Sequence, residues 1–222
     1  MAMRQLKKQV EQLFQTSDFA TALSCVAKMP ARRVVNPLFG LLYHCDLQMR
    51  WFAVAAMGEV VSRLADREPE SARVVMRRLM WNLNDESGGM GWGSPEAMGE
   101  IMARHPVLAR EYAPILVSYL NPDGNFLEHE GLQEGVLWAV GRLARVRPHL
   151  MGDALAFITS HFTSGNTALR GLALWAATPL AHGGVECPVQ GLFSDMAEVS
   201  IFQDGTLVRH TIAGLASKFP KG

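Results

Sequence analysis

Arg50-Trp-Phe-Ala-Val-Ala-Ala-Met-Gly-Glu-Val60 decides the fold, because its pattern returns along the chain. With Gly58 as reference, Ser94-Pro-Glu-Ala-Met-Gly-Glu-Ile101 repeats the core with Gly99 in register. Gly135-Val-Leu-Trp-Ala-Val-Gly-Arg-Leu143 does so again with Gly141, and Gly171-Leu-Ala-Leu-Trp-Ala-Ala-Thr178 follows with Thr178. Thr211-Ile-Ala-Gly-Leu215 repeats it more faintly with Gly214, and the steps between references are 41, 42, 37 and 36 residues. Each period holds two helical blocks, the signature of a solenoid of stacked helix pairs. Small residues at Ala56/Gly58, Ala97/Gly99 and Ala139/Gly141 let paired helices approach closely.

Outward from these segments, apolar residues recur at helical spacing with almost no strand signal. The spacing predicts helices over 4–15, 18–28, 31–43, 47–66, 69–82, 94–105, 107–120, 130–146, 148–162, 166–180, 189–201 and 205–218. Asp18, Asp46 and Asp204 stand at N-cap positions, and Pro69, Pro148 and Pro188 near helix starts. Pro37 and Pro114 fall inside two blocks, so each of those helices is expected to be kinked or shorter. The reading is a single domain over 1–222, with N-terminal helices or a cap over 1–45, central repeats over 46–182 and a C-terminal cap over 183–222.

The 222 residues are 49% apolar and 19% charged, a globular composition. Twenty-one basic residues balance 21 acidic ones, which removes the simplest argument for nucleic-acid or anionic-membrane binding. The balance is uneven along the chain. Residues 1–80 carry twelve bases and seven acids, whereas 81–135 carry nine acids, Asp85 and Glu86 among them, against Arg104 and Arg110. Cys25, Cys45 and Cys187 form no C-x-x-C and fit a reducing compartment, with Cys25 and Cys45 expected to be buried as small hydrophobes. No apolar run approaches membrane-spanning length, and the N-terminus has no signal-peptide core, so the expectation is a cytoplasmic protein.

The segment from Arg50 to Val60 resembles the second helix of HEAT repeats, in particular the HEAT-like repeats named after phycobilisome lyases. Those usually read as an Arg, a run of alanines, Leu-Gly and an acidic residue. Arg170 keeps the repeat arginine, while Gly91 and Gln133 replace it elsewhere and Thr178 replaces the glycine. The resemblance implies an all-α, right-handed α-solenoid of about five helix pairs over roughly residues 30–218. It leaves the chemistry open, since such repeats serve adaptors, lyases, glycosylases and hydroxylases alike.

Positions seven before, three before and one after each reference share one helical stripe. The stripe reads Trp51, Ala55, Glu59; Trp92, Glu96, Glu100; Glu134, Trp138, Arg142; and Gly171, Trp175, Pro179. Nearly opposite lie Ala53/Met57, Ser94/Met98, Val136/Val140 and Ala173/Ala177, apolar apart from Ser94. Second helices line the concave side of a helix-pair solenoid, so four of the five tryptophans are predicted on one surface beside four glutamates and an arginine. The candidate binding residues are therefore Trp51, Glu59, Trp92, Glu96, Glu100, Glu134, Trp138, Arg142 and Trp175.

Other chemistry finds little support. Glu96 with Glu100 and Glu130 with Glu134 are carboxylate pairs at i, i+4, but nothing completes a catalytic constellation. His129-Glu130 is the single dipeptide of the kind that binds irons in the HEAT-built deoxyhypusine hydroxylases; Asp46, Ser87 and Asn166 stand at the equivalent positions and cannot supply the set. The glycines of Asp85-Glu-Ser-Gly-Gly-Met-Gly-Trp-Gly93 follow a helix and lack a P-loop lysine; they set Trp92 into the stripe or form a flap. No cofactor or metal is expected. The reading is a non-catalytic scaffold gripping a basic or polar protein segment in an acidic, Trp-lined concave groove, without nucleic acid or membrane. The alternative is a lyase-like enzyme handling a small ligand or protein-bound cofactor in that groove.

Overall fold

The computed structural model describes residues 3–84, 91–181 and 187–219. They divide into two compact units, Met1–Ala109 and Arg110–Gly222, with the division inside a helix.

The first unit holds α1 (Met3–Thr16), α2 (Phe19–Ala27), α3 (Ala31–Leu41), α4 (Leu47–Arg67), α5 (Pro69–Leu83) and α6 (Ser94–Arg104). Asp18 and Asp46 cap α2 and α4, their side chains accepting the amides of Thr21 and Met49 at 3.0 Å. The central helix α4 packs against α2, α3, α5 and α6, and twelve of its residues are buried, from Met49 to Ala65. A helix surrounded on so many sides must be apolar nearly all round, which is what the alanine run supplies. Gly58 admits α6: a Cβ there would lie 2.4 Å from Glu100 Cγ and 3.0 Å from Arg104 Nε. Gly93 opens α6 with φ 74°, a conformation glycine adopts freely. The remaining glycines of that loop that fall within 85–90, with Asp85 and Glu86, lie outside the described residues.

The helix α7 (Pro106–Ser118) leads into the second unit, where α8 (Glu130–Val146), α9 (Ala154–Thr159) and α10 (Thr167–Ala177) continue the helical pattern. Pro37 and Pro114 stay within α3 and α7, and α7 ends two residues short of the predicted limit. The predicted helix over 148–162 divides into a short 3-10 turn at Pro148–Leu150, α9 and a second 3-10 turn at Ser160–Thr163.

The C-terminal part departs from the sequence reading. In place of helices over 189–201 and 205–218, the chain forms an antiparallel hairpin of β1 (Glu198–Gln203) and β2 (Thr206–Thr211), then the short helix α11 (Ile212–Ala216). Asp204 has φ 47° and Gly205 φ 89°, so Asp-Gly makes the two-residue hairpin turn in place of an N-cap. Val199 and Ile201 alternate inward and pack on α10, where Gly171 leaves room: a Cβ there would fall 2.4 Å from Val199 Cγ1. The cysteines also differ from expectation. Cys45 is exposed in the turn between α3 and α4, and Cys25 is half-buried because it falls off the apolar face carried by Ala22 and Val26.

Candidate functional site

The predicted stripe does not become one open surface. In the first unit Trp51, Glu59, Trp92 and Glu96 are half-buried and Ala55 is buried. Glu100 is only 5% exposed. Arg104, one turn further along α6, donates from Nε to Glu100 at 2.7 Å and from Nη1 to Glu59 of α4 at 2.7 Å. This guanidinium therefore joins two neighbouring second helices and holds both stripe carboxylates, leaving the cluster one negative charge in surplus.

In the second unit the expectation of solvent-facing tryptophans is corrected. Trp138 and Trp175 are 3% and 4% exposed, and their rings stack with centroids 6.2 Å apart. The Trp138 indole N–H donates to the Phe202 carbonyl at 3.0 Å, so the hairpin that replaced the predicted helices covers it. Arg145 lies over the Trp175 ring at 3.5 Å and donates to the carbonyls of Trp175 and Gly141, each at 2.7 Å. Burial of that guanidinium, with Arg142 nearby, brings its pKa down to about 10, which leaves it charged at neutral pH. Gly141 seats the Trp175 ring, since a Cβ there would lie 2.5 Å from it. The half-buried Glu134 accepts from Asn166 Nδ2 at 3.1 Å, Glu130 accepts from the same amide at 2.9 Å, and Arg142 is half-buried. His129 acts as the N-cap of α8, its Nδ1 accepting the Gly131 amide at 3.1 Å. The nine candidates thus split into three carboxylates on structural partners (Glu59, Glu100 and Glu134), the half-buried Trp51, Trp92, Glu96 and Arg142, and the two covered indoles.

A different face of the first unit is open. The fifth tryptophan, Trp81, which the stripe leaves out, is 74% exposed, and Val74 two turns earlier on α5 is 52% exposed. Glu70, Val74, Arg77, Arg78 and Trp81 fall on one side of that helix, all exposed. Beside them, α3 and α5 both pack on α4, but a cavity of about 350 Å³ separates them, floored by Val35, Phe39, Leu64 and Val75. Two side-chain bridges span it. Arg32 Nε donates to Glu68 at 2.6 Å and Nη2 to Ser71 at 3.0 Å; Arg78 donates to Asn36 Oδ1 at 2.5 Å with its guanidinium 3.9 Å from the Phe39 ring centre. The Ser71 hydroxyl and Arg32 hold the Glu68 carboxyl below the usual carboxylate range. Sequence reasoning missed this face because it followed the repeat register of the second helices, whereas α3 and α5 are first helices. The signal available was the basic surplus of residues 1–80.

No family model matches the chain. It is 30% identical over 111 residues to an uncharacterised protein of Archaeoglobus fulgidus, a match covering 50% of this chain and 54% of that protein, so the chain spans about half the length of that curated relative. Among solved structures, an engineered protein superposes with a TM-score of 0.51 at 16% identity, over 96% of this chain and 94% of its own. A designed armadillo repeat protein gives the same score and identity over 95% of this chain and 96% of its own. At this identity the likeness shows the fold, an all-α solenoid of helical repeats, to which the hairpin is a local addition. No helix among the described residues is long and apolar enough to cross a membrane.

Proposed function

We propose that the chain is a non-catalytic helical-repeat scaffold that holds a segment of another protein. One observation carries this reading: α5 presents Val74 and Trp81 to solvent, with the exposed Arg77 and Arg78 between them. Large exposed apolar side chains beside guanidinium groups have the composition of an interface hot spot, and a helix presents them without a backbone ordering cost. The carboxylate pairs weighed for acid–base work are engaged in packing, Glu100 with Arg104 and Glu130 and Glu134 with Asn166.

A second reading keeps the partner but moves it to the stripe. The surplus negative charge of Glu59, Arg104 and Glu100, flanked by half-buried Trp51, Trp92 and Glu96, favours a basic or polar segment there. Trp138 and Trp175 drop out of that surface, and the finer kinship with phycobilisome-lyase repeats rests on residues 50–60 and Arg170.

Affinity capture from a lysate of the source cells, followed by calorimetry with the purified partner, separates the two. Trp81→Ala is expected to weaken the captured partner about tenfold with the fold intact. A partner indifferent to Trp81→Ala but lost with Glu59→Arg moves the site to the stripe. A partner bound equally by both variants and the parent overturns both assignments.

A further inference from the structure

The proposed scaffold function does not say what chemistry its partner carries; the first-helix face does. Three adjoining concavities run along it. The central one, between α3 and α5, shares Asn36 and Arg78 with a second of about 460 Å³ that reaches Arg4 and Lys7 of α1. It shares Arg32 and Leu64 with a third of about 550 Å³ bounded by Lys28, Arg63, Arg67 and Glu68. Among the described residues that line them, seven are basic and Glu68 alone is acidic. The floor of the central one is apolar, Val74 lines its α5 edge, and the exposed Trp81 follows Arg78 by three residues on the same helix.

From Glu68 to Trp81 the α5 edge is about 20 Å long at 1.5 Å per helical residue, the reach of about six extended residues. The bridging arginines are set in place before any ligand arrives. Asn36 and the Phe39 ring hold Arg78, so its remaining N–H donors point from a fixed plane, and a carboxylate meeting them forms charge-assisted bonds with little loss of side-chain freedom. Glu68 occupies Arg32 as an internal acid, with Glu70 doing the same for Arg77 at 2.6 Å and Glu11 for Lys7 at 3.7 Å. Those contacts show that carboxylates fit the rim, and an incoming acid competes with them for the same forks.

We propose, building on the scaffold reading, that the groove between α3 and α5 takes an acidic segment of a partner protein with aliphatic residues alternating between its carboxylates. The carboxylates meet Arg32 and Arg78, and the aliphatic side chains enter the floor of Val35, Leu64 and Val75. A nucleic-acid backbone fits this surface less well. Its charged phosphates would pass over an apolar floor, and Glu68 stands where the central and third concavities meet at Arg32.

The test is fluorescence anisotropy of the full chain with four labelled probes. These are a dodecapeptide of Glu-Leu-Glu-Val repeats, the same peptide with Lys for Glu, the same with Ser for Glu, and a single-stranded DNA 12-mer. The acidic peptide is expected to bind at least about tenfold tighter than the Lys and Ser forms, and to lose about tenfold with Arg78→Glu. Arg78→Gln, which removes the charge without reversing it, is expected to lose several-fold, with circular dichroism unchanged in both. Equal binding of the Glu and Lys peptides, tighter binding of the DNA, or affinity unmoved by either Arg78 variant overturns the inference. The scaffold reading fails separately, in the capture experiment with Trp81→Ala; a native partner sensitive to Trp81→Ala but indifferent to both Arg78 variants keeps the scaffold and removes the acidic ligand.

Discussion

Arg104, which lies outside the repeat stripe, organises the surface of two helices. Glu100 is nearly enclosed, and a carboxylate taken out of water is tolerable only when paired and hydrogen-bonded. Arg104 supplies that pairing and extends to Glu59, while Gly58 leaves the space through which its side chain passes. Arg104→Ala is expected to destabilise the protein by about 2–4 kcal/mol in urea denaturation, because it leaves Glu100 buried without its cation. Adding Glu100→Gln should restore a good part of the loss. If the double variant is no more stable than the single one, the guanidinium acts through packing and not through charge.

At the scale of elements, the hairpin is the feature that redirects the functional reading. Its inner strand docks on α10, its Phe202 carbonyl takes the Trp138 N–H, and the segment leading into it is anchored by Asp195. The Asp195 carboxylate accepts the Ala197 amide at 2.9 Å and two bonds from Arg170, at 2.8 and 3.1 Å. The Ala197 N–H and then the Arg170 guanidinium outweigh burial and hold its carboxyl below the usual carboxylate range. A group whose folded pKa is depressed stabilises above its unfolded value and loses that contribution as pH falls through the folded one. Thermal unfolding should therefore show a step of lost stability below about pH 4 that Asp195→Asn removes, the variant being less stable at pH 7 by about 1–2 kcal/mol. Amide exchange over 198–211 should quicken in the same variant. Unchanged protection there would mean that the strands are held by Val199 and Ile201 alone.

Over the whole molecule, a net charge of zero hides a segregation that matters for recognition. The basic surplus of residues 1–80 gathers along the α3–α5 groove, so an approaching partner meets a local positive field there. Binding of an acidic partner should weaken about tenfold or more between 0.05 and 0.5 M salt, chiefly through slower association, even though the protein as a whole is neutral. An affinity flat across that range would mean that the aliphatic floor and Trp81 provide the binding without the arginines.

The repeat, its helices and its close contacts were legible in the chain because they depend on local spacing: Gly58 and Gly141 lie where two helices touch, and Asp18 and Asp46 cap as their positions require. Asp204-Gly205 between Val199, Ile201 and Val208 carried a hairpin signal that apolar periodicity over a short segment cannot separate from a helix. Which tryptophans meet water was not legible. The stripe is half-buried at Trp51 and Trp92, seven before their references, and enclosed at Trp138 and Trp175, three before theirs, because a strand distant in sequence takes the Trp138 N–H and Arg145 lies over the Trp175 ring. The sequence by itself determined the helical solenoid, since helix pairs recurring at a steady period bury their apolar faces by stacking repeat on repeat. Only the tertiary structure decided the exposed surface, since exposure depends on what the rest of the chain lays over each residue.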